Sequence, residues 1–213
     1  MFERSDDVGI DLYWLPLGAG GHFVRLSGRV YAAIQATMQR RPRFDLYHAG
    51  PEVTVRDGRY VVEQAPARPH GEERGVVGIG PIGARWIFYI RIFRYELRRW
   101  RGGVIPDVAE AVDSPQKLSS QPADAQRLLD LMPKVPFLAW GRDELGVGDM
   151  WNSNSQVAWL LSLTGLNVDS IKPPAGGRAP GWHARLVAAD RQMAWRPEPP
   201  ADIAQGRVTC QQQ

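Results

Sequence analysis

Apolar residues in this chain come in short bursts separated by glycine, proline and polar loops, and each burst has a period of its own. IDLYWLP (10–16) mixes aromatic and branched residues up to a proline and predicts a strand. HFVRLSGRVYAAIQATMQRR predicts a short strand and then a helix over about 28–40, whose basic last turn suits the negative end of the helix dipole. FDLYHAGPEVTVRDGRYVVEQAP (44–66) predicts a β-hairpin turning at Asp57-Gly58, a pair that tolerates the positive φ of a tight turn. The run 75–100, rich in Ile, Phe, Tyr and Trp without a helical period, predicts one or two long strands, WIFYIRIF included. SPQKLSSQPADAQR (114–127) predicts a loop running into a helix over 124–132 that stops before Pro133. SQVAWLLSLTG predicts a second helix over 154–164, closed by Gly165, with Val157, Leu160, Leu161 and Thr164 on one face and Trp159 off it. PPAGGRAPGW (173–182) cannot be regular structure. The order of strands and helices implies an α+β fold: an antiparallel sheet, the 45–65 hairpin near its centre, packed against the 154–164 helix.

Composition narrows this picture. The 213 residues are 44% hydrophobic and 23% charged, enough for one globular domain over 1–196. From Pro197 the chain turns Pro-, Gln- and Ala-rich and reads as a disordered tail, 197–213. The single cysteine, Cys210, excludes an internal disulfide or a cysteine metal cluster. The N-terminus lacks an apolar signal core and no stretch nears the roughly 18 apolar residues that span a bilayer, so the expected compartment is the cytoplasm. A net charge of +3 does not by itself imply nucleic acid.

Three signals carry less than they offer. Gly78, Gly80 and Gly83 match G-x-G-x-x-G, but a dinucleotide fingerprint must open a helix and here a β-rich run follows, so no cofactor is expected. Arg91, Arg94, Arg98, Arg99 and Arg101 split between the two sides of an alternating strand and read as solvated or paired arginines, not as a nucleic-acid face. His22, His48, His70 and His183 are too far apart for a local metal motif, so no metal is expected.

The chemistry concentrates in WNSNSQVAWLL (151–161), where two Asn and two Ser precede an apolar helix. One cap explains one of them. A hydroxyl at the positive end of a helix can also serve as a nucleophile, with backbone N–H groups holding the oxyanion. Serine needs a base, and His48 in DLYHAGPEV is placed to be one. A third group should orient the imidazole. Glu63 follows three β-formers on the next strand, with Glu52 and Gln64 as alternatives. A strict two-residue Asp57-Gly58 turn would set Glu52 opposite Glu63 and leave His48 about 13 Å away at strand rise.

A strand-borne His, a hairpin, a Glu about fifteen residues on and a hydroxyl at a helix start some hundred residues later together resemble the circularly permuted papain-like hydrolases, which include permuted NlpC-type peptidases and lecithin:retinol acyltransferase-like proteins. WNSNSQVAWLL looks like the N-C-x-x-F segment of that family with Ser for Cys. The resemblance covers about residues 10–166 and implies a permuted papain-like sheet with a nucleophile-bearing helix. It implies Ser155 as nucleophile, His48 as base and Glu63 as orienter, with Ser153 the competing hydroxyl. Asn154 would help hold the oxyanion, and Trp151 and Trp159 would line the groove. The implied activity is hydrolysis or transfer of an acyl group from an amide or ester, on a peptide, lipid or other small acyl substrate. The alternatives are an inactive binding module of the same fold and a basic nucleic-acid-associated protein.

Overall fold

In the computed structural model of the chain, the residues described are 8–17, 46–67, 75–184 and 188. The expected 28–40 helix, His22, His70, Cys210 and the 197–213 tail lie outside them. The fold is α+β. Six strands form one antiparallel sheet: β1 (Gly9–Pro16), β2 (Tyr47–Val55), β3 (Gly58–Pro66), β4 (Val76–Pro81), β5 (Arg94–Arg101) and β6 (Val112–Ser119), in the order β4-β5-β3-β2-β1-β6. Helices α1 (Pro122–Leu131) and α2 (Ser153–Thr164) lie against each other and against β2, and α1 also reaches β1.

Alternation along the strands makes one main core. Ile10, Leu12 and Trp14 of β1, Ala49 and Val53 of β2 and Leu97 of β5 face Leu128 and Leu129 of α1 and Leu160 and Leu161 of α2. Leu15, Val61 and Ile105 form a smaller cluster on the other face of the sheet. α2 is buried almost all round, from Ser153 through Leu161, so its expected apolar stripe does not distinguish Trp159 from the rest. Gly165, at φ 99°, closes it. Among the described residues no helix is long and apolar enough to cross a membrane.

Three sequence expectations are corrected. The run 85–93 is not strand: it forms two 3-10 turns, Arg85–Ile87 and Arg91–Phe93, joining β4 to β5. Residues 112–119 are strand, not loop. β6 pairs with β1 at the edge of the sheet, the position where a strand tolerates Pro115. The hairpin register is also shifted: Val55 pairs with Gly58 and Glu52 with Val61, so the two-residue turn is Arg56-Asp57 and Glu52 does not face Glu63. Gly58, at φ 143°, is the first residue of β3 rather than a turn residue.

One feature of the sheet prepares the site. β2 pairs with β1 along its whole length, Thr54↔Gly9 to Tyr47↔Pro16, and β3 pairs with β5 from Tyr60↔Arg101 to Pro66↔Tyr95. Between β2 and β3 the ladder runs only from Val55↔Gly58 to Glu52↔Val61. Beyond the hairpin tip the two halves of the sheet diverge, and the N-terminal turn of α2 fills the opening against β2.

Candidate active site

The divergence leaves backbone groups of β2 without a strand partner, and a buried N–H or C=O must find another. Asn154 supplies it. Its Oδ1 accepts from Ala49 N (2.8 Å), and its Nδ2 donates to Tyr47 O (3.0 Å) and Pro180 O (2.9 Å). The amide thus holds the strand on both sides of His48. The loop 178–182, out of the GRAPGW run, closes the same place: Arg178 O accepts from Tyr47 N (2.8 Å).

The imidazole meets the helix at its first residue. Ser153 Oγ lies 2.8 Å from His48 Nδ1. Burial of the half-buried ring lowers the His48 pKa to about 4, so the imidazole is neutral at pH 7. With its proton on Nε2, Nδ1 accepts from the Ser153 hydroxyl, the arrangement a general base requires. Ser153 follows the N-cap, at the positive end of a twelve-residue helix. Among the described residues, the N–H groups of Ser153 and Asn154 meet no acceptor, as expected of a helix start.

Ser155, two positions on, is spent on structure. Asn152 caps α2 by accepting from Ser155 N (3.2 Å), while Ser155 Oγ accepts from Asn152 N (3.1 Å): a reciprocal capping box. The same Oγ lies 2.8 Å from Gly181 O, to which it donates, and the side chain is fully buried. Asn152 Nδ2 adds a bond to Pro180 O (2.9 Å), and Asp149 Oδ1 accepts from Gly181 N (2.8 Å). A Cβ on Gly181, which sits at φ 86°, would come within 2.3 Å of Asn152 Oδ1, so this loop docks only as glycine. The four polar residues therefore divide: Asn152 and Ser155 build the cap, Asn154 ties down the strand, and Ser153 meets the histidine. The hydroxyl that the structure brings to His48 is that of Ser153, not Ser155. The sequence alone does not decide between them, because Ser153-x-x-Gln156 has the capping-box spacing as well as Asn152-x-x-Ser155.

The other expected residues lie elsewhere. Glu63 bonds Arg98 Nη1 (3.2 Å), and Glu96 takes the other side of that buried guanidinium, with Oε2 2.6 Å from Nη2. Glu52 bonds Arg59 (2.5 Å). Gln64 is buried, with neither amide atom hydrogen-bonded among the described residues, and by alternation it points to the opposite face from Glu63. Trp151 and Trp159 are core residues, 1% and 3% exposed, rather than groove lining. Asn154 has its amide committed to backbone and acts as a positioning residue.

The signals set aside earlier have physical explanations. A Cβ on Gly78 would come within 1.9 Å of Phe137 Cζ and one on Gly80 within 2.3 Å of Tyr95 Cζ, so these glycines make room for rings. Arg94 and Arg98 are buried on protein acceptors, and Arg99 lies over the Tyr60 ring. Among the described residues no three His, Cys, Asp or Glu side chains gather as metal ligands would. No family model, curated protein or solved structure matches the chain.

Proposed function

We propose that the protein is a serine-dependent acyl hydrolase or acyltransferase acting on an amide or ester, with Ser153 as nucleophile and His48 as general base. The observation that carries this reading is the 2.8 Å approach of Ser153 Oγ to a neutral, half-buried imidazole at a helix N-terminus. Ser153 Oγ attacks the acyl carbon as its proton passes to His48 Nδ1. The N–H groups of Ser153 and Asn154 hold the oxyanion. The imidazolium returns the proton to the departing amine or alcohol, leaving an acyl-Ser153 ester. Water or an acceptor alcohol or amine then attacks that ester, giving its proton to His48, and Ser153 regains it as the acyl group leaves. The resemblance to permuted papain-like hydrolases points to Ser155 and does not choose Ser153: Asn152-Ser153 and Asn154-Ser155 are both Asn-Ser pairs, and the assignment to Ser153 rests on its approach to His48.

The test is covalent labelling with a fluorophosphonate, with the modified peptide mapped by mass spectrometry. The adduct is expected on Ser153, lost in Ser153→Ala and in His48→Ala. A folded protein that takes no label from fluorophosphonate or β-lactone probes would be a binding module on the same scaffold, and labelling that survives both substitutions would place the reactive nucleophile elsewhere.

A further inference from the structure

The loop 178–183 holds the chain neighbours of both reacting groups of the proposed active site. Arg178 O accepts from Tyr47 N (2.8 Å), and Leu46 and Arg178 form a parallel bridge, so the loop runs along the end of β2 just before His48. Pro180 O accepts from Asn152 Nδ2 and from Asn154 Nδ2 (both 2.9 Å), the two residues that flank Ser153. Gly181 O accepts from Ser155 Oγ (2.8 Å). The 2.8 Å between Ser153 Oγ and His48 Nδ1 depends on how α2 is set against β2, and this one stretch of backbone joins the two.

The loop is itself held from one side chain. Asp149 Oδ1 accepts from Gly181 N (2.8 Å) and from Met150 N (3.0 Å), and Oδ2 accepts from His183 N (3.3 Å). The carboxylate therefore takes the main-chain N–H groups on either side of Trp182, whose buried ring lies 5.4 Å from that of Trp14 in the core. Bonds to an ionised acceptor are roughly twice as strong as those between neutral groups. Close approach to β2 needs glycine as well: a Cβ on Gly177 would come within 2.3 Å of Tyr47 Cε2, so that ring packs directly on the backbone ahead of the loop. Ser155 supplies a single bond to the loop, and losing it leaves the Asp149 anchor in place.

We infer that Asp149 is a positioning residue of the site: it clips the 178–183 loop onto β2 and α2, and the clip holds Ser153 against His48. Once the loop lifts, the bonds that remain between the helix start and β2, among the described residues, are those of Asn154 and the Ser153–His48 contact itself. Activity enters only through the proposed function, on which the labelling readout rests; the juxtaposition of the two side chains does not depend on it. Asp143 provides an internal comparison. It is a carboxylate of the same 142–150 loop and likewise accepts from two main-chain N–H groups, those of Val147 (2.9 Å) and Gly148 (2.8 Å), but these bonds stay within its own loop.

Two readouts on the full chain test this: the rate of fluorophosphonate labelling at Ser153, and the NMR titration of the His48 ring, assigned with His48→Gln. Asp149→Ala is expected to slow labelling at least tenfold and to move the His48 pKa up from about 4 toward its ordinary value of 6.5, because lifting the loop admits water to the ring. Asp143→Ala removes the same kind of carboxylate and should leave both readouts unchanged, whatever it does to the thermal midpoint. Asp149→Asn keeps Oδ1 as an acceptor for Gly181 N and should fall between the wild type and Asp149→Ala in both. Wild-type labelling and titration in a folded Asp149→Ala overturn the inference, as does an Asp143→Ala variant that slows labelling equally, since the effect would then be one of general destabilisation. Should Asp149→Ala not fold, an Asp149→Asn that matches the wild type in both readouts overturns it. A wild type that takes no label removes the catalytic reading and leaves the His48 titration to decide the clip.

Discussion

Two serines two positions apart carry different duties, and their hydrogen bonds decide which is which. Ser153 Oγ has the imidazole as its partner, whereas Ser155 Oγ serves Asn152 N and the Gly181 carbonyl. Ser153→Ala is therefore expected to lower activity or labelling by about a thousandfold or more, as loss of a nucleophile does, with the thermal midpoint almost unchanged. His48→Ala should be as severe, and the double variant barely worse than either single, because the two act as one unit. Ser155→Ala should do the reverse: a stability loss of about 1–2 kcal/mol from the cap and the orphaned Gly181 carbonyl, with labelling kept in the folded fraction. Labelling lost in Ser155→Ala but kept in Ser153→Ala would sink the assignment. Both His48 and the cluster 152–155 were legible from residue type and from the helix that follows. The choice within the cluster was not, since a hydroxyl at N1 and one at N3 look alike until the cap is assigned.

The elements show why Glu63 was attractive in sequence and is not beside the histidine. A carboxylate after three β-formers reads as out of place, but on β3 it has a buried arginine on the adjacent strand, and that cross-strand pair is invisible until β5 is known to lie beside β3. Periodicity found β1, the hairpin and both helices. It missed β6, whose polar alternation and Pro115 belong to an edge strand, and it over-read 85–93, where aromatic and branched residues stand in a loop held by Arg94. The glycines of β4 were legible as glycines but not as ring clearances. Gly78→Ala should destabilise the fold by about 1–3 kcal/mol through overpacking against Phe137, and Phe137→Leu in that background should recover part of the loss in a denaturant titration. No recovery would place the strain elsewhere. Asn154→Leu should act on both fold and site. It keeps the volume but leaves Ala49 N and Tyr47 O without their Asn154 partner and Pro180 O with Asn152 Nδ2 alone, so both thermal midpoint and Ser153 labelling rate should fall, the latter at least tenfold. Wild-type labelling in a stable Asn154→Leu protein would show that the clamp does not position His48.

At the scale of the molecule, the sheet is continuous at the hairpin tip and open beyond it, and the protein places a titratable ring in the opening. Such a ring costs stability whenever it must charge. The folded-state pKa of His48 is lowered to about 4, while an unfolded chain titrates near the ordinary value of about 6.5. Between these values the unfolded state binds the proton and the folded state does not, so this group makes stability rise with pH across the window and fall as pH drops through it. One proton sets the limit on the slope, about 1.4 kcal/mol per pH unit. Denaturant midpoints measured from pH 7 to pH 4 should therefore decline more steeply for the wild type than for His48→Gln, which cannot take up the proton. The two curves should run parallel above about pH 7. The same neutral imidazole is the base proposed for Ser153, so the labelling rate of the wild type should hold level from pH 7 down past 6 and decline only toward pH 4. A labelling rate that already halves near pH 6.5, with stability curves parallel throughout, would mean that His48 titrates like a solvated histidine and that the opening in the sheet does not shelter it.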